Sequence, residues 1–398
     1  MKGRTYMERK LKLGIIGIGN MGSGHISNYV SGQMPEIEIT CVADIDERRF
    51  ENARAKIPEI VCFDTADELI ESGLCEAVLI ATPHYFHPPI AIAALKAGLH
   101  VMSEKPAGVY TKQVRELIEV ASHSDKTYAI MFNQRTNCVY RKVKELVDSG
   151  KYGEIKRVNW IITDWFRTQQ YYNSGGWRAT WSGEGGGVML NQCPHQLDLW
   201  QWICGMPSKV RAFCHEGKWH DIEVEDDVTI YAEYPNGATG TFITTTGDFP
   251  GTNRLEITLD KAKLICENDQ LENRFVIKLF ELEESISQYI KASDEGFGRI
   301  AGEWKEVETD GMNEQHSGVM NAFAAHILRG EPLVAEGAEG INALKISNAA
   351  FLSSWLDKTV EIPFDENLYF ELLQKKIKDS KFVKVVKEQF QEDMSSTY

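Results

Sequence analysis

A glycine-rich turn near the amino terminus constrains the fold of this chain more than any other segment. The apolar run that begins at Leu13 ends in Gly17-Ile18-Gly19-Asn20-Met21-Gly22, at the start of a helical pattern. In this G-x-G-x-x-G spacing the first glycine permits a tight turn, the second admits a pyrophosphate, and the third lets helix and strand touch. The helix N-terminus adds N–H donors that favour phosphate. The sequence therefore predicts a dinucleotide-binding strand–turn–helix unit.

Asp44 bears on which dinucleotide this turn would hold. It ends the next predicted strand, 22 residues after Gly22. A carboxylate in this position accepts hydrogen bonds from the adenosine ribose hydroxyls and repels a 2′-phosphate. Arg48 and Arg49 follow closely and could instead receive the 2′-phosphate of NADP. The pattern favours NAD over NADP, and a purely structural glycine turn is the alternative to cofactor binding.

The first third of the chain alternates short apolar runs with helical patterns. After the run at Leu13–Gly19, the predicted strands are Ile37–Asp44, Ala77–Thr82, His100–Ser103 and Thr127–Phe132. The helical patterns between them include Pro88–Ala97 and Thr111–Ser122. Near-continuous apolar strands separated by helices are typical of a parallel sheet covered on both faces. Residues 1–135 are therefore predicted to form an NAD-binding Rossmann domain with a doubly wound parallel sheet.

After about residue 135 the pattern changes to alternating apolar and polar residues. Beyond a helix at Tyr140–Ser149, the predicted strands are Ile155–Asp164, Val210–Cys214, Asp227–Tyr234, Ala238–Thr246, Arg254–Leu259 and Lys263–Glu267. Such strands indicate an antiparallel sheet with one solvated face. The helices predicted here are Pro194–Ile203, Gln315–Leu328, Ala338–Leu356 and a lysine-rich Leu368–Phe390. Residues 136–398 are predicted to form a C-terminal α/β domain with a large, mostly antiparallel open sheet.

Composition excludes several classes of function. The 398 residues carry a formal net charge of −15, which argues against nucleic acid as a partner because phosphate binding needs basic surface. No apolar run reaches the roughly 18 to 20 residues that cross a bilayer, and Met1–Lys12 shows no secretory signal. The eight cysteines are scattered without a Cys-x-x-Cys pair, as is typical of reduced thiols. We therefore expect a cytoplasmic protein that binds neither membrane nor nucleic acid.

Four further motifs follow the glycine-rich turn in a fixed order. They are Ala81-Thr82-Pro83 followed by His87, Glu104-Lys105-Pro106, Gly185-Gly186-Gly187 leading to His195 and Asp198, and a late helix at Glu336–Leu356 before Val360-Glu361-Ile362-Pro363. With these motifs the sequence resembles the Gfo/Idh/MocA family, which includes glucose-fructose oxidoreductase and inositol dehydrogenase, over roughly residues 10–365. The resemblance implies a C-terminal sheet that often packs against another subunit. A homodimer or homotetramer is therefore expected.

The same resemblance implies where the chemistry takes place. In the family, the lysine of Glu-Lys-Pro and the histidine after the glycine-rich segment face the reacting carbon, and here these are Lys105 and His195. A lysine whose pKa is lowered by burial can act as the base for a hydroxyl proton. The residues expected to bind the cofactor are Gly17, Gly19, Asn20, Met21, Gly22, Asp44, Ala81, Thr82, Pro83, His84, His87, Glu104, Lys105, Asn133, Trp177 and Arg178. Those expected to bind substrate are Lys105, Trp165, Tyr171, Arg178, Asn191 and His195.

Two details modify this expectation. Many relatives carry an aspartate four residues before the histidine, where this chain has Asn191. Asn191 is therefore expected to bind a substrate hydroxyl or to orient a neighbour without adding charge. His84 and His87 have a His-x-x-His spacing, but no nearby carboxylate or cysteine completes a metal site, so no metal is expected.

The aromatic residues of the second domain indicate the kind of substrate. Trp165 and Tyr171 lie with Arg178 in a glycine-punctuated segment, and aromatic planes suit the C–H faces of sugar rings. The sequence predicts an NAD(H)-dependent oxidoreductase acting on a secondary hydroxyl or ketone of a sugar, glycoside or cyclitol. One alternative is an enzyme with recycled NAD, such as a redox-assisted glycoside hydrolase or a sialic-acid or anhydro-sugar interconverting enzyme. The other is a non-enzymatic NAD-binding sensor, which would need neither Lys105 nor His195.

Overall fold

The computed structural model describes residues 9–269 and 274–387, and these residues form two units. The first unit contains the described part of Met1–Asn133 together with Glu314–Ile341. The second contains the described parts of Gln134–Asn313 and Asn342–Lys387. The predicted domains 1–135 and 136–398 include residues 1–8, 270–273 and 388–398, which lie outside the described residues.

The secondary structure alternates strands and helices in the first unit and is dominated by strands in the second. The strands are β1 Leu11–Ile16, β2 Ile37–Ala43, β3 Val61–Phe63, β4 Ala77–Ile80, β5 His100–Ser103, β6 Tyr128–Ile130, β7 Ile155–Ile162, β8 Lys209–Glu216, β9 Glu225–Glu233, β10 Thr239–Thr245, β11 Asn253–Leu259, β12 Ala262–Asp269, β13 Arg274–Leu282, β14 Gly302–Glu306 and β15 Val360–Glu361. The helices are α1 Asn20–Val30, α2 Arg48–Lys56, α3 Ala66–Glu71, α4 His87–Lys96, α5 Thr111–Ser122, α6 Cys138–Asp148, α7 Gln169–Asn173, α8 Pro194–Cys204, α9 Ile286–Ala292, α10 Gln315–Arg329, α11 Gly340–Leu356 and α12 Glu366–Asp379.

The first unit is built on a six-stranded parallel sheet in the order β3-β2-β1-β4-β5-β6. Side chains alternate across each strand, so the sheet buries apolar residues on both faces. One face packs against α1, α2 and α10, with Phe50 and Phe323 in the cluster. The other packs against α3, α4 and α5, with Leu95 and Leu117 buried there. The predicted doubly wound Rossmann domain is confirmed, although the sequence pattern does not signal the short edge strand β3.

Helix α10 belongs to the first unit although it follows the second sheet in the sequence. Its residues Val319, Met320 and Phe323 are at most 2% exposed and lie in the same apolar cluster as Ile15 of β1. An amphipathic pattern predicts that a helix buries one face, but it does not identify the sheet that covers that face. The predicted C-terminal domain, residues 136–398, includes this helix because nothing in the local sequence pattern signals its return to the first unit.

The second unit is built on a nine-stranded sheet in the order β14-β13-β12-β11-β7-β10-β9-β8-β15. Among the described strands, β7 and β10 pair in parallel and the other neighbours are antiparallel. Trp160 and Phe242 are buried on one face, where Trp200 of α8 packs 5.3 Å from Phe242 between ring centroids. Ile161 and Tyr231 lie on the other face and are 37% and 40% exposed. The predicted α/β domain with a mostly antiparallel sheet is confirmed.

The carboxyl-terminal helix is shorter than predicted. Helix α12 ends at Asp379, whereas the lysine-rich pattern predicts a helix over Leu368–Phe390. Residues 380–387 are not helical, and the last three residues of the predicted helix lie outside the described residues. The β-branched residues Val383, Val385 and Val386 lower the helix propensity of this segment. Within the described part of the chain, no helix is both long enough and apolar enough to cross a membrane.

Candidate active site

The glycine-rich turn after β1 has the geometry that a phosphate-binding turn needs. Gly17 has a φ of +87°, which residues with a side chain rarely adopt. A Cβ atom on Gly22 would lie 2.1 Å from the Gly17 carbonyl oxygen, so only glycine lets α1 approach β1 this closely. Gly19 is the N-cap of α1 and gives the helix no side-chain hydrogen bond. The helix end that begins with Asn20 and Met21 therefore has no side-chain cap and favours an anionic ligand.

Asp44 is fixed beside this turn at the carboxyl end of β2. Its Oδ2 accepts the N–H of Ile18 at 2.8 Å, and its Oδ1 accepts the N–H of Asp46 at 2.9 Å. The side chain is 10% exposed. In a Rossmann domain the carboxylate at this place contacts the ribose of the dinucleotide. The position of Asp44 next to Ile18 of the turn fits that role.

Both arginines that follow Asp44 lie beside carboxylates. Arg48 donates to the two oxygens of Asp46 at 2.7 and 2.8 Å, and this hydrogen bonding lowers the pKa of Asp46 to about 2. The Nε of Arg49 lies 3.7 Å from Asp44 and 3.6 Å from Asp46. Asp46, which belongs to none of the sequence motifs, thus adds a second carboxylate next to Asp44.

The loop after β4 lies against the glycine-rich turn. A Cβ atom on Gly17 would lie 2.8 Å from the carbonyl oxygen of Ala81. The hydroxyl of Thr82 is buried and has no hydrogen-bond partner among the described residues. The ring nitrogens of His87 lie 2.6 Å from the Thr82 carbonyl oxygen and 2.8 Å from that of Pro106, and burial lowers the pKa of His87. His87 therefore joins this loop to the Glu-Lys-Pro segment, while the Thr82 hydroxyl can bind a ligand.

Glu104 is buried and paired with His25 of α1. Glu104 Oε1 lies 2.8 Å from His25 Nε2, and Oε2 accepts the N–H of Lys105 at 3.3 Å. Burial raises the pKa of Glu104, but the hydrogen bond and the charge of His25 outweigh burial and lower this pKa to about 2. His316 of α10 packs edge-on against His25, and burial lowers the pKa of His316 to about 4. The carboxylate before Lys105 is thus ionised and anchored to the helix that begins at the glycine-rich turn.

In the second unit, a buried carboxylate fixes the glycine-rich segment that leads to His195. Glu225 accepts the N–H groups of Gly187 at 2.7 Å and of Met189 at 3.0 Å, and burial raises the pKa of Glu225 to about 8. A Cβ atom on Gly187 would lie 2.0 Å from the Glu225 carbonyl oxygen, so this approach requires glycine. His195 follows in the first turn of α8 and is 2% exposed.

Asp198 anchors the helix that carries His195. Its carboxylate receives two hydrogen bonds from Arg135, at 2.7 and 2.8 Å, and both side chains are almost fully buried. Gln201 donates to the same carboxylate at 2.9 Å. The Arg135 guanidinium also lies over the ring of Trp202, 5.2 Å from its centroid. Because a buried charge without its partner is strongly unfavourable, this pair fixes the orientation of α8 within the second unit.

Asn191 contacts a carboxylate that the sequence analysis missed. Its Nδ2 donates to Glu184 Oε1, and Glu184 Oε2 accepts the N–H of Ala179 at 2.6 Å. Glu184 is 1% exposed, and burial raises its pKa. Position 191 itself carries no charge, but the carboxylate of Glu184, seven residues earlier, accepts a hydrogen bond from its amide. The sequence signal for Glu184 is an acidic residue between two glycines, Gly183 and Gly185, in an otherwise apolar segment.

Tyr171, Arg178 and Gln192 form one hydrogen-bonded group in the second unit. The Tyr171 hydroxyl accepts hydrogen bonds from Arg178 at 2.7 Å and from Gln192 at 3.0 Å. The Arg178 guanidinium also lies 4.6 Å from the ring centroid of Tyr171 and 4.7 Å from that of Trp177. The guanidinium of Arg167 lies over the ring of Trp165, 5.7 Å from its centroid. Aromatic planes and polar donors therefore occur together in this segment, and its role in binding a carbohydrate stays a prediction.

The structure places the predicted site residues in both units. The residues in the first unit are Gly17, Gly19, Asn20, Met21, Gly22, Asp44, Ala81, Thr82, Pro83, His84, His87, Glu104, Lys105 and Asn133, and those in the second are Trp165, Tyr171, Trp177, Arg178, Asn191 and His195. Asn133 is fully buried and donates a hydrogen bond to Gln315. Within residues 9–269 and 274–387, no group of three or more His, Cys, Asp or Glu residues is arranged to hold a metal ion.

The parallel sheet, the glycine-rich turn and Asp44 define a dinucleotide-binding Rossmann domain, and a separate α/β unit follows it. Residues 11–132 match the model of the oxidoreductase family with an NAD-binding Rossmann fold, and residues 140–265 match the GFO/IDH/MocA C-terminal domain. The chain belongs to the Gfo/Idh/MocA family of oxidoreductases, and its first unit contains an NAD-binding domain. The family and the NAD cofactor expected from the sequence are confirmed.

Curated relatives include dehydrogenases of cyclitols. The inositol 2-dehydrogenase of Corynebacterium glutamicum is 30% identical over 240 residues, which cover 58% of this chain and 66% of that protein. The match thus spans slightly less than two thirds of that relative. The myo-inositol 2-dehydrogenase of Thermotoga maritima is 23% identical over 348 residues, covering 85% of this chain and 95% of the relative.

Solved structures share the fold along most of the chain. The WlbA dehydrogenase of Bordetella pertussis, crystallised with NADH and UDP-GlcNAcA, superposes with a TM-score of 0.74 at 23% identity, covering 90% of this chain and 100% of that one. Levoglucosan dehydrogenase in complex with NADH and levoglucosan gives a TM-score of 0.73 at 21% identity, covering 89% and 100%. At these identities the similarity shows the fold alone.

Proposed function

We propose that this protein is an NAD(H)-dependent oxidoreductase that acts on a secondary hydroxyl or ketone of a sugar, glycoside or cyclitol. The observation that carries the proposal is a half-buried lysine, Lys105, directly after the anchored carboxylate of Glu104 in an NAD-binding domain of this family. The name of the inositol 2-dehydrogenase, which is 30% identical over the matched residues, supports the substrate class.

The residues of the first unit divide the work of binding and proton transfer. NAD⁺, when bound, supplies the hydride acceptor. The glycine-rich turn would hold its pyrophosphate, and Asp44 would hold a ribose. The neutral amine of Lys105 takes the proton of the substrate hydroxyl and returns it when a ketone is reduced. Because Glu104 accepts the Lys105 N–H and is paired with His25, the backbone of Lys105 keeps a fixed position.

His195 is the second proposed catalytic residue. It is buried at the start of α8, a helix that the Asp198 and Arg135 ion pair holds in place. An imidazole can donate or accept a hydrogen bond according to its tautomer, so it can polarise a hydroxyl or a carbonyl oxygen. We assign His195 this role beside the substrate oxygen.

Replacement of Lys105 tests the proposal. Lys105→Ala is expected to lower turnover by about 10²- to 10⁴-fold, the usual contribution of a general acid–base group. NAD⁺ affinity, measured by calorimetry, is expected to change only a few-fold because the amine acts on the substrate hydroxyl. Lys96→Ala, at an exposed position of α4, is the matched control and should leave both quantities unchanged. Near-normal NADH formation by Lys105→Ala would contradict the catalytic role.

We further propose that the chain forms a homodimer or homotetramer through the open face of the nine-stranded sheet. Ile161, Phe213 and Tyr231 lie on this face of neighbouring strands and are 37%, 51% and 40% exposed. Apolar side chains clustered on an open sheet are typical of a subunit interface. Tyr231→Asp is expected to reduce the mass measured by light scattering to that of a monomer. An unchanged mass would contradict this interface.

The state of the cysteines supports a reducing compartment. All eight cysteines are free thiols. Structural disulfides are rare in proteins of the cytosol, where glutathione and thioredoxin keep thiols reduced. We therefore propose that the protein works in the cytoplasm. Mass-spectrometric counting of alkylated thiols in protein isolated under acid quench tests this, and a disulfide found there would contradict it.

A further inference from the structure

Residues 380–387, which follow α12, contact α7, the short helix that carries Tyr171. Lys384 Nζ donates to the carbonyl oxygen of Tyr172, and the N–H of Lys387 donates to the carbonyl oxygen of Asn173 at 3.1 Å. Lys384 and Lys387 are therefore hydrogen-bonded to the last two residues of α7. This contact brings a lysine from the carboxyl-terminal region next to the segment that carries Tyr171 and Arg178.

The Tyr171 hydroxyl in this group is left with only a donor function. A phenolic oxygen has one proton and two acceptor sites. Arg178 and Gln192 both donate to it, at 2.7 and 3.0 Å, so both acceptor sites are used. Its own proton is then directed away from these two side chains. Tyr171 is partly exposed, so a ligand oxygen can receive this proton.

Arg178 is held rigidly but retains donor capacity. Its guanidinium lies over the rings of Tyr171 and Trp177, and one N–H binds the Tyr171 hydroxyl. Its Nε is buried and has no hydrogen-bond partner among the described residues. Contact with two rings limits the orientations of the guanidinium, so little side-chain entropy is lost when an acceptor binds.

The nearby carboxylate does not neutralise these cations through direct contact. Glu184 is close enough for Arg178 and Lys384 to lower its pKa electrostatically, while burial, the larger effect, raises it. Its two oxygens, however, accept hydrogen bonds from Asn191 and from the N–H of Ala179. In the described part of the chain, neither Arg178 nor Lys384 forms an ion pair with a carboxylate. Two cations and a phenol proton thus remain as donors.

We propose that Tyr171, Arg178 and Lys384 form a subsite for an anionic group, a carboxylate or a phosphate, and that the substrate is an acidic carbohydrate. This inference rests on the proposed function and specifies its substrate class. Three donors, two of them cationic, match the acceptor oxygens of such a group better than the hydroxyls of a neutral sugar.

Matched sugars that differ only at the sixth carbon test this subsite. Calorimetry would compare glucose, glucuronate and glucose 6-phosphate, and the corresponding galactose set, on the full chain in the presence of NADH. Lys384→Gln removes the charge with little change in size. Lys387→Gln is the matched control, because this exposed lysine of the same segment uses only its backbone N–H.

The expected result is a preference of about tenfold or more for at least one acidic sugar over its neutral counterpart, as one charge-assisted hydrogen bond would give. Lys384→Gln should reduce this preference about tenfold, and Lys387→Gln should leave it within twofold. Equal binding of acidic and neutral sugars, or an equal loss of both in Lys384→Gln, would overturn the proposal. A loss of NADH affinity in Lys384→Gln without a change in sugar preference would assign the cation to the dinucleotide phosphates and also overturn it.

Oxidation is recorded separately with NAD⁺. An acidic sugar that binds with the expected preference but yields no NADH would support the anionic subsite and contradict the proposed oxidoreductase function. NADH formation from neutral sugars alone, with no preferential binding of acidic ones, would support the function and contradict the subsite. The two proposals therefore fail in distinguishable ways.

Discussion

Asn191→Asp places a second carboxyl group against the buried carboxylate of Glu184. In the native protein the Asn191 amide donates to Glu184, which also accepts the N–H of Ala179. An ionised aspartate cannot donate, so the substitution replaces a hydrogen bond with a repulsion between like charges. Glu184 is 1% exposed, and solvent therefore screens this repulsion poorly.

The size of the effect follows from Coulomb's law. Two unit charges about 4 Å apart at an effective dielectric of about 20 repel by about 4 kcal/mol, which corresponds to about 3 pKa units. One of the two carboxyl groups in the variant is therefore expected to keep its proton to about pH 7. Since its folded pKa is raised above an unfolded value of about 4, the folded state binds more protons than the unfolded state in this window. The free energy of unfolding then falls by about 1.4 kcal/mol for each pH unit as pH rises, to a total of about 4 kcal/mol.

Denaturant unfolding, followed by tryptophan fluorescence between pH 4.5 and 8, measures how the free energy of unfolding of Asn191→Asp changes with pH. The free energy of unfolding of this variant is expected to be close to that of wild type at pH 4.5 and about 4 kcal/mol lower at pH 8. Asn236→Asp adds the same charge at an exposed turn and should show little pH dependence. The double variant Glu184→Gln/Asn191→Asp has a single carboxylate at this place. It should recover most of the free energy of unfolding that Asn191→Asp loses at pH 8. If the free energy of unfolding of Asn191→Asp differed from that of wild type by the same amount at every pH, repulsion between the two carboxylates would be refuted as the cause.

Three further predictions concern the carboxylates of each unit. Asp44→Ala is expected to narrow the preference for NAD over NADP, measured by calorimetry, because a ribose acceptor and a repulsive charge are both lost; an unchanged ratio would contradict its role. Asp198→Asn leaves the buried Arg135 without its counter-charge and should lower the free energy of unfolding by about 3 to 5 kcal/mol, whereas the exposed control Asp310→Asn should show little change. Glu225→Gln should flatten the pH dependence of the free energy of unfolding between about pH 5 and 8. A carboxyl group with a folded pKa of about 8 loses its stabilising contribution as pH rises through this window. An equally steep pH dependence in the variant would contradict the raised pKa of Glu225.

The elements that the sequence predicted well are those whose signal is local. Strand β5 and helix α5 have the predicted bounds, since their apolar periodicity depends only on neighbours along the chain. The turn at Gly17 was predicted for the same reason: its conformation is set by residues within six positions. Strands β3 and β14 were missed because one is only three residues long and the other is exposed along its whole length, so neither has a clear apolar alternation.

The candidate site was predicted only in part. Lys105, His195 and Asp44 were singled out because they occur within or next to recognisable motifs, and their roles stay predictions. His25 and Glu184 were not, because each acts through a partner that sequence spacing does not reveal. The His25 and Glu104 pair joins residues 79 positions apart, and no local pattern predicts which buried acid a helical histidine will meet.

The sequence by itself determined the two kinds of sheet, the NAD-binding Rossmann domain and the family, because glycine spacing, hydrophobic periodicity and short motifs depend on residues close together in the chain. Tertiary structure alone decided that α10 completes the first unit and that Lys384 lies beside Tyr172. It also decided that Asn191 contacts Glu184. These contacts depend on which elements pack together, and burial then fixes the ionisation of the groups involved, since a carboxylate removed from water takes its pKa from its partners.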